Sequence, residues 1–308
     1  MNANLKPEHL ASANPGFHPD EWAARVQLAA CYRVFAMLGW VEMIYNHITV
    51  RLPDSVTGAT AGASTATAGA STASTGASTA TVGASTSTAG ATAHSKSPQF
   101  LINPFGLHYS EVTASNLLKI DLAGNKIATP GQLESRWPVN PAGFTVHAAI
   151  HCGLPDAHCI MHTHTTSGVA VACLEGGLQQ TNFYTAQLHD MVAYHDFEGI
   201  TIHAEEGPRL LASMGNRQAV ILRNHGLLAW GKTLPQTFAI LWTLQRACDI
   251  QLATFSMTAM GGRAIPVSPA VAERCTRDAL QYPDKGGGEE MFNAMVRQVD
   301  RIDKSYLN

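Results

Sequence analysis

The sequence predicts a layered α/β domain with substantial antiparallel pairing. Short β-branched runs recur between segments of helical period, and the two kinds mix without a strict strand–helix–strand alternation. Hydrophobic residues make up 45% of the chain and charged residues 14%, which suits a folded core over most of its 308 residues.

Residues 1–18 read as a flexible arm. From Pro19 the pattern turns helical. Asp20 and Glu21 favour a helix start, Leu28, Cys31, Phe35 and Leu38 form one apolar stripe, and Gly39 supplies a stop. The run His47-Ile48-Thr49-Val50-Arg51-Leu52 predicts a strand. Residues 55–97 are a low-complexity insertion of Gly, Ala, Ser and Thr. It cannot bury enough surface to offset its ordering entropy and is expected to be disordered. Phe100-Leu101-Ile102 resumes as a strand, which places the insertion at a hairpin tip, where added length costs little closure entropy.

A turn at Asn103-Pro104-Phe105-Gly106 precedes a short helix expected over 110–116 and a strand over 118–121. A helix is expected over 144–151, with strands over 159–164, 219–222 and 227–230. Thr233 and Gln236 form a capping-box pattern for a long helix that carries Leu241, Leu244, Cys248 and Leu252 on one face. Residues 19–260 thus read as one domain. Residues 261–308 read as a loop-rich tail with one amphipathic helix over 291–301.

The formal net charge is −3 and no Lys/Arg block is present, which argues against nucleic acid as a partner. No run approaches the roughly 20 apolar residues that cross a bilayer, so no membrane partner is expected. The polar stretch from Met1 to Trp22 lacks a signal-peptide core, and a cytoplasmic location is expected. The six cysteines lie among apolar residues with no CxxC pair and read as small buried core residues.

Histidine carries the chemistry. In Met161-His162-Thr163-His164 two imidazoles sit two residues apart on a predicted strand, so both face the same way. His225, in Arg223-Asn224-His225-Gly226, lies at a strand end and could complete a three-nitrogen metal site with open positions. Spacing alone leaves metal ligands and hydrogen-bonded or exposed histidines both open.

The stretches 159–168 and 220–228, with Asn46-His-Ile-Thr-Val-Arg51, Ile102-Asn-Pro-Phe-Gly106 and Tyr194-His-Asp-Phe-Glu-Gly199, resemble the class II aldolase/adducin family in sequence and in order. The resemblance runs from about Trp22 to Thr254. It implies a three-layer α/β/α domain around a mainly antiparallel central sheet, assembled as a homotetramer. It also implies a divalent metal on His162, His164 and His225, with zinc first and iron or manganese as alternatives. In the aldolases that ion polarises a hydroxy-ketone and stabilises an enediolate.

The chain departs from the sugar-phosphate aldolases at four positions. Gly143 stands where they place a proton-transferring glutamate, four residues before His147, and Pro141, Ala142 and Phe105 replace phosphate donors. A sugar-phosphate substrate is therefore not expected, and the Ala-Gly-Phe version resembles adducin heads and bacterial relatives. Adducins continue into a long tail with a basic end, whereas this sequence stops at Asn308, which weighs against a cytoskeletal role.

Proton transfer then falls to another group. His195 and Asp196 are the catalytic candidates, beside the reading that they form a structural turn. His189-Asp190 is a similar pair. Asn46, Arg51 and Gly106 are the substrate-binding candidates, with Arg51 offering a fork for a carboxylate. His147 and His151 share a helix face, for a second metal or for packing against the site. Tyr184, or Phe183 beside it, matches a subunit-bridging tyrosine of the aldolases.

The expected function is a metal-dependent lyase or decarboxylase acting on a small, unphosphorylated hydroxy or keto acid. A non-haem iron oxygenase and a non-catalytic adducin-head-like scaffold are the alternatives.

Overall fold

The computed structural model describes residues 16–57, 98–128, 135–281 and 287–308. The first helix, α1 (Pro19–Leu38), starts where the sequence places it. His18 caps it by accepting from the Asp20 N–H, and Gly39 ends it in the left-handed region at φ 72°. Strand β1 (His47–Arg51) follows, then a single helical turn, α2 (Asp54–Thr57). The start of the expected insertion, residues 55–57, is therefore helical, and residues 58–97 lie outside the described residues.

Strands β2 (Phe100–Ile102) and β3 (Leu118–Ile120) pair antiparallel, and β2 pairs β1. The helix expected over 110–116 is only a 3-10 turn at Tyr109–Glu111, closed by a capping box between His108 and Glu111. The Asn116 side chain bonds the backbone of Thr113 and Glu111, which draws the chain into a turn instead of a helix. Helix α3 (Pro141–Gly153) leads to β4 (Cys159–Thr163) and α4 (Thr166–Ala172). After α5 (Phe183–Gln187) come β5 (Val192–His195), α6 (Gly207–Met214), β6 (Ala219–Leu222) and β7 (Gly226–Gly231). The long helix α7 (Leu234–Ala259) is capped by Thr233. Only half of the expected box forms, because the Gln236 side chain accepts from the Lys232 N–H. Among the described residues the tail holds two α-helices, α8 (Pro269–Gln281) and α9 (Glu289–Ile302), where the sequence predicts one.

The strands form one seven-stranded sheet in the order β3-β2-β1-β4-β7-β6-β5. Every pairing is antiparallel except β5 with β6. Alternation along the strands sorts residues between the two faces. Ile48, Leu101, Cys159, Met161, Ile221 and Ala229 join the larger core with α1, α7 and α9. Ile160, Val220, Leu222, Leu228 and Trp230 face the other way, toward Val146 and Ile150 of α3 and Leu210 and Met214 of α6. His47, Thr49 and His162 alternate with the first set and so lie on this second face.

A buried ion network anchors α1 to the sheet edge. Glu21, 2% exposed, accepts from Arg25 and from Lys119 of β3 at 2.9 Å each. The cysteines divide, contrary to the expectation of a uniformly buried set. Cys31, Cys159 and Cys248 are buried and Cys275 is partly so, whereas Cys152 and Cys173 are exposed at the ends of α3 and α4; all are free. Among the described residues no helix is long and apolar enough to cross a membrane.

Candidate metal centre

Three elements bring the imidazoles together. His162 lies on β4 directly opposite His47 of β1, His164 follows the end of β4, and His225 sits in the tight turn between β6 and β7. One nitrogen from each of His162, His164 and His225 falls within 4.8 Å of the others. The ring centroids lie 4.4, 4.8 and 4.9 Å apart.

The donor set fits a divalent ion. His162 Nδ1 donates to the Leu227 carbonyl at 2.8 Å, which leaves its Nε2 bare, 2.7 Å from His164 Nε2. Burial, and secondarily the neighbouring imidazoles, hold His162 well below the usual histidine range and His225 at about 4; burial alone lowers His164. All three are neutral at pH 7, the form that ligates a metal.

The turn that carries His225 has a conformational requirement. Asn224 adopts φ 56°, and its N–H donates to the Ala172 carbonyl at the end of α4. Asparagine tolerates that left-handed conformation and β-branched residues do not. Asn224→Val is expected to cost about 1–2 kcal/mol and Asn224→Gly much less, read from urea denaturation. Equal stability of the two variants would refute the strain.

The three histidines open into a cavity of about 780 Å³. Its walls are largely apolar, and Val146, Val169, Phe197, Ile200 and Leu222 are among them. The polar lining comprises Glu42, Tyr45, His47, Asn140, Thr166, Thr201 and Asn224, and none of these was singled out from the sequence as a site residue. Among the described residues that line it there is no arginine and no lysine.

The other sequence candidates sit elsewhere. Arg51 clasps the end of α3 by donating to the carbonyls of His151 and Pro155, so it is not placed to hold a substrate carboxylate. Asn46 is buried and is not part of the cavity lining, with its Nδ2 donating to the Trp40 carbonyl at 3.3 Å. Gly106, at φ 106°, packs against the Trp137 ring, away from the cavity lining. His195 meets Ser213 at 3.1 Å and Glu206 at 3.3 Å, while Asp196 is exposed and pairs with Arg223 at 3.4 Å. The two adjacent residues thus do not form an acid–imidazole pair, because alternation along the chain turns their side chains apart. The His189–Asp190 pair, at 3.6 Å, borders a groove beside α8. Phe183 is exposed, whereas Tyr184 packs edge-on to Trp242.

His147 and His151 bracket the Thr49 hydroxyl at 2.7 and 2.8 Å. His151 Nδ1 donates to the Ala157 carbonyl, so its Nε2 accepts from Thr49, and Thr49 in turn accepts from His147 Nδ1. This chain of hydrogen bonds fixes the packing of α3 on β1. It leaves no two imidazole lone pairs facing a common point, so the pair serves packing and not a second metal.

A sheet of this order, with imidazoles converging where β4 ends and β6 turns into β7, defines an α/β protein of the class II aldolase type. The chain belongs to the family described as Class II Aldolase and Adducin N-terminal domain, whose profile matches residues 26–252. It is 32% identical over 290 residues to "Putative aldolase class 2 protein PA3430" of Pseudomonas aeruginosa, covering 93% of this chain and 92% of that one. It is 33% identical over 287 residues to alpha-adducin of Mus musculus, covering 90% of this chain but 33% of that protein. Among solved structures, an aldolase II superfamily protein from Pseudomonas syringae superposes with a TM-score of 0.75 at 30% identity, covering 96% of this chain and 100% of that one.

Proposed function

We propose that the chain is a metal-dependent lyase or decarboxylase acting on a small, unphosphorylated hydroxy or keto acid. The observation that carries the reading is the cluster of three imidazoles lining a cavity of about 780 Å³. His162, His164 and His225 would hold a divalent ion, zinc being the first candidate, and the ion supplies Lewis-acid polarisation of a carbonyl or hydroxyl oxygen. Leu227 orients the His162 ring through its carbonyl, and the Asn224 turn presents His225. The apolar walls exclude water from the substrate.

The lining favours an unphosphorylated substrate, since Ala142 and Gly143 line the cavity and offer no side-chain donor to a phosphate. Helical cores on both sheet faces support the three-layer arrangement, and membership of the family supports a homo-oligomer. Similarity to alpha-adducin over this domain favours one second reading, a scaffold whose histidines do no chemistry.

Elemental analysis of protein purified without added metal, beside His162→Ala/His225→Ala, separates the two. One equivalent of zinc, iron or manganese in the parent and none in the folded double variant is the expected result. Trace metal in both would remove the lyase reading and leave the scaffold.

A further inference from the structure

Strand β1 and helix α3 meet in register. Along β1, His47, Thr49 and Arg51 share one face, and along α3, Gly143, His147 and His151 form one row. The strand row spans about 13 Å and the helix row about 12 Å, so the two run side by side, residue against residue. Thr49 meets His147 and His151, and Arg51 meets the His151 carbonyl. At the cavity end, His47 meets Gly143. A Cβ built on Gly143 would lie 1.5 Å from His47 Cδ2 and 2.2 Å from its Nε2. The imidazole of His47 therefore occupies the space where any side chain at position 143 would begin.

That ring is a wall of the cavity. Its centroid lies 5.4 Å from that of His162 and 4.4 Å from that of His147. Its Nδ1 is buried without a hydrogen-bond partner among the described residues. Nε2 takes no hydrogen bond among the described residues either but is not enclosed as Nδ1 is, so Nε2, beside Gly143 in the cavity wall, is the nitrogen that a ligand in the cavity can reach.

We propose that His47 is a substrate-contacting residue, hydrogen-bonding through Nε2 to an oxygen of the ligand held beside His162, His164 and His225, and that Gly143 is glycine to admit its ring. The proposal rests on the metal reading above and names the protein group that completes the same site.

The test is calorimetric titration of the metal-loaded protein with acetohydroxamate, a small two-oxygen metal ligand, with metal content and melting temperature measured on every variant. His47→Phe keeps a ring in the slot but loses the hydrogen bond. It is expected to retain the parent's metal and to bind the probe about tenfold more weakly. His47→Asn, which keeps a donor, is expected to recover part of that loss and serves if the phenylalanine variant does not fold. Gly143→Ala is expected to lower the melting temperature and weaken the probe, and His47→Ala/Gly143→Ala to regain the melting temperature but not the binding. Unchanged probe affinity in metal-loaded His47→Phe or His47→Asn would overturn the proposal and leave the ring as packing. So would a Gly143→Ala variant as stable and as tight as the parent. A parent that takes up no metal defeats the metal reading, and a metal-loaded parent that does not bind the probe defeats this contact alone.

Discussion

Gly226→Ala is expected to empty the metal centre and to lower stability by about 3 kcal/mol. Gly226 opens β7 immediately after His225; it pairs with Leu222 of β6, and the next residue, Leu227, pairs with Thr163 of β4. A Cβ there would lie 2.3 Å from the Thr163 carbonyl oxygen, 3.1 Å from His164 Cδ2 and 3.3 Å from His162 Cε1. The nearest atom is backbone at the end of the β4–β7 pairing, so the clash is relieved by parting these strands where they carry the histidines. That movement carries His225 away from His162 and His164 and disturbs the Leu227 carbonyl that orients His162. Gly176→Ala is the control, since an added methyl would meet nothing nearer than 3.9 Å. Elemental analysis and urea denaturation read the two effects. Full metal and parental stability in Gly226→Ala would show that the strands have room to spare.

The second large effect is acid lability. Burial drives His151 down from the ordinary histidine value to about 3, and its donation to the Ala157 carbonyl only partly offsets this. Burial likewise holds His147 well below the usual range, with His47 and His151 adding to the effect. In the unfolded chain both protonate near pH 6.5, while in the folded chain they stay neutral to much lower pH. Between pH 6.5 and about 3 the unfolded state therefore binds more protons, and stability falls as pH falls. Through His151 alone the loss between pH 7 and pH 4 is about 3 kcal/mol. The contribution is fully present above pH 6.5. Urea denaturation of metal-free protein across that window should show the loss, and His151→Gln should reduce it by the His151 share. A parent equally stable at pH 7 and pH 4 would mean that these imidazoles protonate without unfolding.

Much of the frame is written locally. Pro19, the acidic pair after it and Gly39 bound α1, and Thr233 starts α7, because capping and left-handed stops depend on neighbours in sequence. The β-branched runs became β1, β2, β4 and β6 for the same reason. Weakly patterned elements escaped. Strand β5 has a half-exposed alternation that reads as loop, and α8 carries few buried residues, so its stripe is faint in the sequence.

The site divides along the same line. His162, His164 and His225 were legible because period-two spacing puts two of them on one face and a glycine turn follows the third. His47 was not, although it stood within a recognised motif. Its role depends on the cross-strand register with His162 and on the approach of α3, and neither is encoded by local spacing. Arg51 shows the reverse case. A charge suited to a carboxylate was legible, but tertiary packing spends it on the carbonyls that end α3. Sequence alone determined the strongly patterned elements, the family and the three metal-binding candidates, since these follow from residue type at short range. Only the tertiary structure decided which polar groups reach the cavity. That choice depends on how a strand row and a helix row from distant segments come into register.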